Sequence, residues 1–250
     1  FFVQSAADRD RLLALGAPAD RLEITGSAKY DIGATAPTAE ARAWEVLAKL
    51  GVKPGHPVLV GGSTWAGEEA VLLDLAREAK AAHPHLMLVL VPRHAERREE
   101  VLAEIRQRGM SVVQRSQFAD GAAAPVQRPD VLLVDTTGEL RGFYAAADVV
   151  FVGKSLTQTG GQNPIEPAKD GKPVVVGPHM ENFPAISQDF LEAGAYAQAK
   201  DAEELKALIL NLLANPAERA RMGRAASELV ARKAGATRLM AERVLAARAG

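Results

Sequence analysis

Short apolar runs alternate with helical patterns along most of this chain, and this alternation limits the fold it can adopt more than any other feature. The runs are continuously apolar, which is typical of strands covered on both faces. Repeats of this kind predict an α/β fold with a Rossmann-like, doubly wound parallel sheet. The predicted strands are residues 57–60, 86–91, 131–134, 149–152 and 173–176. The predicted helices are residues 67–82, 96–108, 138–147, 164–170, 182–193, 202–213 and 217–247.

A glycine-rich turn follows the fourth of these strands and runs straight into a helix start. Residues 153–161 read Gly-Lys-Ser-Leu-Thr-Gln-Thr-Gly-Gly, and Asn163, Pro164 and Glu166 come next. Asn163 is a good N-cap, Pro164 suits the first helical position, and Glu166 could either complete a capping box or accept hydrogen bonds from a ribose diol. A strand, a glycine loop and a helix N-terminus in this order present free backbone N–H groups to a phosphate. The stretch therefore predicts an anion and sugar site that includes Gly153, Lys154, Ser155, Gly160 and Gly161.

The charge balance and residue content exclude several kinds of protein. Lys and Arg number 30 against 31 Asp and Glu, so the net charge of -1 gives no support to nucleic-acid binding. There is no cysteine for a disulfide framework or a thiolate nucleophile, and the five His are too scattered to predict a metal site. No apolar run approaches the roughly 20 residues that span a bilayer, so we expect a soluble chain. It starts at Phe1 rather than at Met, and we expect that end to be a cut edge.

Polar residues also follow the first two predicted strands of the sheet, where an ordinary core would not require them. Ser63 and Thr64 follow the first strand, and either could cap the next helix so that its N-terminus faces an anion. Arg93 and His94 follow the second strand. Arg93 could bind a phosphate or a carboxylate through two N–H groups, or it could simply pair with Glu96 at the surface.

The segment after the third strand, residues 135–140, reads Asp-Thr-Thr-Gly-Glu-Leu and turns sharply into a helix. It sets two carboxylates at the same rim of the sheet. The plainer alternative is that Asp135 is an N-cap and Glu139 a first-turn acid favoured by the helix dipole. We interpret His94 and His179 as contacts rather than bases, because a lone loop His more often hydrogen-bonds or packs.

Several motifs of other enzyme classes are absent from the sequence. No G-x-G-x-x-G follows a first strand, and Asp148 stands where a phosphate-binding G-x-x-x-x-G-K loop needs its first Gly. There is also no G-x-S-x-G elbow and no H-E-x-x-H helix. What remains is a sheet with phosphate- and ribose-type contacts at its crevice, as expected of the donor half of a nucleotide-sugar enzyme.

These motifs, in their order and spacing, resemble those of one family over nearly the whole chain. Lys29, Tyr30 and Asp31 are part of the likeness, and so are the motifs around Arg93 and Glu166. The full set comprises residues 2–5, 26–31, 63–64, 67–69, 91–94, 135–140, 160–168, 177–179 and 182–183. Together they resemble the 3-deoxy-D-manno-octulosonic acid (Kdo) transferases of lipopolysaccharide synthesis.

The resemblance implies a GT-B glycosyltransferase that transfers Kdo from CMP-Kdo to a lipid A precursor at the cytoplasmic face of the bacterial inner membrane. It implies no metal and no cofactor other than the donor substrate, CMP-Kdo. Residues 1–32 would be the tail of an N-terminal acceptor domain and a linker, and residues 33–250 the C-terminal donor-binding domain. The catalytic base and the membrane-binding surface would lie in the N-terminal domain. We therefore expect this chain alone to bind donor nucleotide without catalysing transfer.

The resemblance also assigns roles to individual residues. Arg93 and residues 153–161 would meet the CMP phosphate or the Kdo carboxylate, Glu166 would hold the ribose, and residues 135–140 would border the cytosine. The implied donor-binding residues are Ser63, Thr64, Arg93, His94, Thr137, Gly138, Glu139, Gly153, Lys154, Ser155, Gly160, Gly161, Asn163 and Glu166. The chain departs from the family at Trp65 and Gln162, where His is frequent, and at residues 27–28, where Asn-Leu is usual.

Two other functions stay open on the sequence. A UDP-sugar epimerase of GT-B fold would prefer uridine nucleotides, whereas an isolated non-catalytic module with a vestigial site would bind no nucleotide. The retention of Arg93, Asn163 and Glu166 in one chain argues against the second of these.

Overall fold

The computed structural model describes residues 1–118, 125 and 127–249, in which strands and helices alternate along the chain. The strands are β1 (Phe2–Val3), β2 (Glu23–Ile24), β3 (Val58–Thr64), β4 (Met87–Pro92), β5 (Val112–Gln114), β6 (Val131–Leu133), β7 (Val149–Val152), β8 (Val174–Val176) and β9 (Ala197–Gln198). The helices are α1 (Ala6–Ala14), α2 (Pro37–Lys49), α3 (Glu68–Ala79), α4 (Arg98–Gln107), α5 (Leu140–Ala146), α6 (Ile165–Lys169), α7 (Pro184–Glu192), α8 (Ala202–Ala214), α9 (Pro216–Lys233) and α10 (Ala236–Ala249).

Strands β3 to β9 form one seven-stranded sheet in the order β5-β6-β4-β3-β7-β8-β9, and every neighbouring pair is parallel. The predicted α/β fold with a parallel sheet is therefore confirmed. The strand that follows β3 in the chain, β4, lies on one side of β3, and the later strand β7 lies on its other side. Such a switch point leaves a crevice beyond the carboxyl ends of the two central strands, where ligands bind in open α/β sheets.

Each face of the sheet carries its own hydrophobic core, because consecutive strand side chains point to opposite faces. Val58 and Val60 belong to the core covered by α2, α5, α6, α7 and α9. Leu59, between them, belongs to the core covered by α3, α4 and α8. This double coverage explains why the central strands are continuously apolar.

Three elements of the sheet domain were not predicted from the sequence. Strands β5 and β9 lie at the two edges of the sheet and are only half-buried, so they lack a continuous apolar run. Helix α2 does carry a sequence signal. Its Ala43, Val46 and Leu47 are buried, and they recur at the helical spacing that places side chains on one face.

The predicted helix at residues 217–247 is wrong in one respect, because it is two helices. The break lies between α9 and α10, where Gly235 has a φ of 113° that favours glycine. Asp31 accepts hydrogen bonds from the backbone N–H groups of Gly235 and Thr237, so a distant carboxylate caps the start of α10. Most other predicted helices begin or end a few residues away from the observed bounds, and residues 95–97 form a separate 3-10 turn before α4.

The N-terminal residues lie outside the seven-stranded sheet. Strands β1 and β2 form a separate two-stranded parallel sheet. The Tyr30 hydroxyl donates to Asp189 of α7 at 2.9 Å, and Arg243 of α10 pairs with Glu23 at 2.8 Å. These contacts hold the segment against the domain, and the predicted boundary at residue 32 stays a prediction. Within the described ranges, no helix is both long and apolar enough to cross a membrane.

Candidate functional site

The crevice at the switch point begins with two residues in an unusual backbone conformation. Ser63 at the end of β3 has a φ of 53°, and Lys154 just after β7 has a φ of 56°. Residues other than glycine rarely adopt this left-handed conformation, and it persists where the surrounding structure enforces it, often at functional sites. The strain therefore marks the two strand ends that flank the crevice.

A cleft of about 230 Å³ opens on the β4 side of this point. Ser63, Arg93, Thr137 and Gly138 line it, so four of the predicted donor-binding residues lie together. Arg93 is exposed and forms no ion pair with any residue in the described ranges. The alternative pairing of Arg93 with Glu96 is wrong, because Glu96 lies 3.5 Å from His94 instead. The guanidinium is thus available for an anionic ligand.

Glu166 lies half-buried beside two arginines. Burial raises the pKa of its carboxyl group, and the positive charges of Arg141 and Arg93 oppose that rise. Burial also raises the pKa of Tyr144 strongly, with a further contribution from the negative charge of Glu166 and an opposing one from a hydrogen bond with Ser63. Arg93 and Glu166, the predicted phosphate and ribose contacts, therefore lie near enough for the charge of Arg93 to act on the Glu166 carboxyl group, without forming an ion pair in the described ranges.

Helix α6 begins one residue later than predicted. Its first residue is Ile165, so Pro164 precedes the helix rather than opening it. Asn163 still satisfies an N–H group of the first turn, because its Oδ1 accepts a hydrogen bond from the Ile165 backbone at 3.1 Å. No hydrogen bond in the described part of the chain links Asn163 to the Glu166 side chain, so the capping-box alternative is not formed there.

The start of the glycine-rich loop is held by a buried carboxylate that the sequence analysis did not single out. Glu68, in the first turn of α3, is fully buried. Its Oε1 accepts from the backbone N–H groups of Ser155 and Leu156, both at 2.9 Å. Its Oε2 accepts from those of Lys154 at 2.9 Å and Trp65 at 2.8 Å. Burial raises the pKa of this carboxyl group, and the four N–H donors oppose that rise.

The prediction that this loop presents free N–H groups is therefore wrong for most of it. Besides the N–H groups bound by Glu68, that of Gly153 donates to Gly62 and that of Gly161 to the Lys154 carbonyl. The N–H of Gly160 donates to Glu181 at 2.6 Å. The loop is folded by internal bonds, and its contribution to anion binding must come mainly from side chains.

Two predicted donor-binding side chains, those of Thr64 and Ser155, are fully buried beneath the crevice. Thr64 does not cap α3, whose N-cap is Gly67, but donates to Glu69 at 2.8 Å. Ser155 donates to the Val152 carbonyl at 2.6 Å and accepts from the Gly177 N–H at 2.9 Å. In this structure both hydroxyl groups support the strand ends rather than line the crevice.

The predicted carboxylates of residues 135–140 point elsewhere. Asp135 is not an N-cap, because it accepts hydrogen bonds from the backbone and the hydroxyl of Ser116. Glu139 precedes α5 and pairs with Arg115 at 2.9 Å. It lines a neighbouring cavity of about 250 Å³ with Arg42. Of this motif, Thr136, Thr137, Gly138 and Leu140 line the cleft that Arg93 lines, whereas its two carboxylates do not.

The sequence analysis did not single out Arg141, whose charge acts on the Glu166 carboxyl group, or Tyr144, which is buried beneath the crevice. Tyr144 lies inside helix α5, where an aromatic residue is usually part of the core, so no local pattern distinguishes it. Its side chain is fully buried and packs against Gly62, where a Cβ would overlap the Tyr144 ring. Such an arrangement depends on two elements that meet only in the folded chain.

Comparisons with known proteins show which family the chain resembles. The family of glycosyl transferases group 1 matches residues 128–229. A 3-deoxy-D-manno-octulosonic acid transferase from Bordetella pertussis is 39% identical over 239 residues, which is 94% of this chain and 54% of that protein. The chain spans about half the length of the curated relatives it matches.

Solved structures give a consistent result. The C-terminal CMP-Kdo binding domain of WaaA from Acinetobacter baumannii is 29% identical, with a TM-score of 0.70 over 77% of this chain and 98% of that domain. A UDP-GlcNAc 2-epimerase from Neisseria meningitidis superposes with a TM-score of 0.63 over 98% of this chain and 60% of the epimerase chain. It is 15% identical, so this similarity shows the fold alone. The family resemblance predicted from the sequence is confirmed. The chain is a homologue of the 3-deoxy-D-manno-octulosonic acid transferases and has the α/β fold of a GT-B glycosyltransferase C-terminal domain.

Proposed function

We propose that this chain is the donor-binding part of a Kdo transferase, which binds CMP-Kdo and transfers Kdo to a lipid A precursor during lipopolysaccharide synthesis. The observation that carries the proposal is the 39% identity to a Kdo transferase over 94% of the chain. The crevice supports it, because Arg93 lines the cleft and its charge acts on Glu166. A cation and a half-buried carboxylate at one site suit a nucleotide with a phosphate and a ribose diol.

In the proposed reaction, a hydroxyl oxygen of the acceptor bonds to the anomeric carbon of Kdo. The bond from that carbon to the phosphate oxygen breaks, and CMP leaves with the electron pair. Negative charge therefore develops on the phosphate as the bond breaks. Arg93, exposed and without an ion-pair partner in the described ranges, would stabilise that charge. Following the family resemblance, we propose that transfer requires no cofactor beyond the donor, so it should persist in excess chelator.

The acceptor hydroxyl must lose its proton to a base, and three carboxylates near the crevice are already engaged. Glu68 accepts four backbone N–H groups, Glu69 binds Arg97 at 2.7 Å, and Glu139 binds Arg115. We assign Glu166, on whose carboxyl group the charges of Arg141 and Arg93 act, to the ribose. We therefore propose that the base comes from another part of the full-length enzyme, together with the lipid-binding and membrane-facing surface at the cytoplasmic side of the inner membrane.

Calorimetric titration with CMP, UMP, UDP and AMP tests the donor role directly. We expect saturable binding that is selective for CMP. Arg93→Ala should weaken it by about 10- to 100-fold, since a hydrogen bond to a charged group contributes about 1.5–3 kcal/mol. Glu166→Ala should also weaken it. Arg106→Ala is the matched control, because Arg106 is an exposed arginine on α4 far along the helix from the crevice, and it should bind CMP as the parent chain does.

The other possible results separate the alternatives. Preference for UMP or UDP over CMP would contradict the proposal and favour an epimerase or another glycosyltransferase. Absence of nucleotide binding would contradict the donor role of this chain. Equal affinity in Arg93→Ala and the parent chain would remove Arg93 from the site.

A further inference from the structure

Trp65 lies where three strand ends of the crevice meet. It follows β3 directly, and its ring makes an edge-to-face contact with His94, which follows β4, at 5.1 Å between ring centroids. On another side, the ammonium group of Lys154, which follows β7, lies 4.9 Å from the centroid of its ring. The indole thus joins the cleft side of the crevice to the glycine-rich loop.

The indole N–H of Trp65 is buried and has no hydrogen-bond partner among the described residues. Trp can only donate, and a buried Trp N–H is normally paired because an unpaired buried donor is costly. Its neighbours His94 and Lys154 are half-buried side chains at the rim, so a ligand oxygen could reach the indole when they move aside. The unpaired donor indicates that an acceptor is missing at this point.

Lys154 brings an uncompensated positive charge to the same place. Its backbone N–H is held by Glu68 at 2.9 Å and its φ is 56°, and its ammonium group rests over the indole face. No carboxylate in the described ranges lies within ion-pair distance of it. Glu96 pairs with His94, and the Glu68 oxygens are occupied by backbone N–H groups. A cation beside an unpaired N–H donor is a combination that binds a carboxylate.

We propose that Trp65 and Lys154 bind the carboxylate of the donor's sugar acid and thereby distinguish an acidic sugar nucleotide from the nucleotide alone. This inference rests on the proposed function and adds a second anion-binding point to the crevice. Arg93, in the cleft with Thr137 and Gly138, serves the nucleotide phosphate. Trp65 and Lys154, on the loop side of the crevice, bind the carboxylate of the sugar.

The test compares two ligands that share the cytidine and a singly charged phosphodiester. One is CMP-Kdo, and the other is the methyl phosphodiester of cytidine 5′-phosphate, which lacks the sugar acid. Lys154→Met should weaken CMP-Kdo binding by about 10- to 100-fold and leave the methyl diester within about two-fold, because a charged hydrogen bond contributes that much affinity. Trp65→Phe, which keeps an aromatic face but removes the N–H, should weaken CMP-Kdo by about three- to ten-fold. Lys154→Arg should restore most of the affinity.

Fluorescence offers an independent measurement, since the chain has two Trp residues. In a Trp44→Phe background Trp65 is the single tryptophan, and CMP-Kdo should change its emission while the methyl diester changes it little. Equal loss of both ligands in Lys154→Met and Trp65→Phe would overturn the inference, because the pair would then act on the nucleotide or on the fold. Unchanged CMP-Kdo affinity in both variants would also overturn it. Failure of the parent chain to bind either ligand would instead refute the proposed function, and this inference with it.

Discussion

Replacement of Glu68 by Gln should release the glycine-rich loop from α3. The buried carboxylate accepts four backbone N–H groups at 2.8–2.9 Å, two on each oxygen. A Gln side chain keeps the volume but offers one oxygen, and its NH₂ group would face the other two N–H donors. Two hydrogen bonds to a charged group at about 1.5–3 kcal/mol each give a loss of about 3–6 kcal/mol. We expect the lower part of this range, because neighbouring contributions are not additive.

The loss can be measured in two ways. Urea denaturation should show a lower midpoint with an unchanged slope, and hydrogen exchange should lose protection at Lys154, Ser155 or Leu156. If the loop opens locally, the opening free energy measured by exchange at these amides will fall by more than the global unfolding free energy does. The matched control is Glu78→Gln on the same helix, where the side chain is half-exposed and lies 3.8 Å from Lys206. That change should stay within about 0.5 kcal/mol. Glu68→Gln within about 1 kcal/mol of the parent chain, with unchanged amide protection, would refute the reasoning.

Three further outcomes are expected. Gly62→Ala should lower the unfolding free energy by about 1–3 kcal/mol, because the added Cβ would overlap Tyr144. Gly33→Ala is the control and should leave the unfolding free energy unchanged, because a Cβ there would meet no atom within 4 Å. Urea denaturation of both variants checks this. Binding of the methyl phosphodiester of cytidine 5′-phosphate should weaken as the pH falls towards the raised pKa of Glu166, because protonation of the carboxylate removes a hydrogen-bond acceptor. Glu166→Gln should bind this ligand weakly at every pH. Calorimetric titration of both proteins across the acidic range checks this. Burial raises the pKa of Asp31, but the backbone N–H groups of Gly235 and Thr237 outweigh it and lower this pKa overall. The ionised Asp31 therefore stabilises the start of α10 above the pKa that it has in the unfolded chain. This stabilisation is lost as the pH falls through the lower pKa of the folded chain. Hydrogen exchange in α10, corrected for intrinsic rates, should therefore become faster at acidic pH in the parent chain. In Asp31→Asn it should already be fast near neutral pH. Equal protection of α10 in the two proteins near neutral pH would contradict this.

The sequence by itself determined the five central strands of the sheet and the region of the site. Continuous apolar strands are buried on both faces because helices cover both sides, and that pattern is local enough to read from residues 57–60 or 149–152. The polar residues after each strand were also visible, since the carboxyl ends of parallel strands meet at one edge. Arg93 and Thr137 accordingly line one cleft, and the charge of Arg93 acts on Glu166.

Tertiary structure alone decided which of those residues are free to bind a ligand. Thr64 and Ser155 follow strands as Ser63 and Lys154 do, yet they are buried and bonded internally. Glu68 binds N–H groups of residues more than 80 positions away in sequence, so no local pattern predicts that the loop's donors are occupied. Hydrogen-bond partners across such separations depend on where packed elements meet, and only the folded chain specifies that meeting.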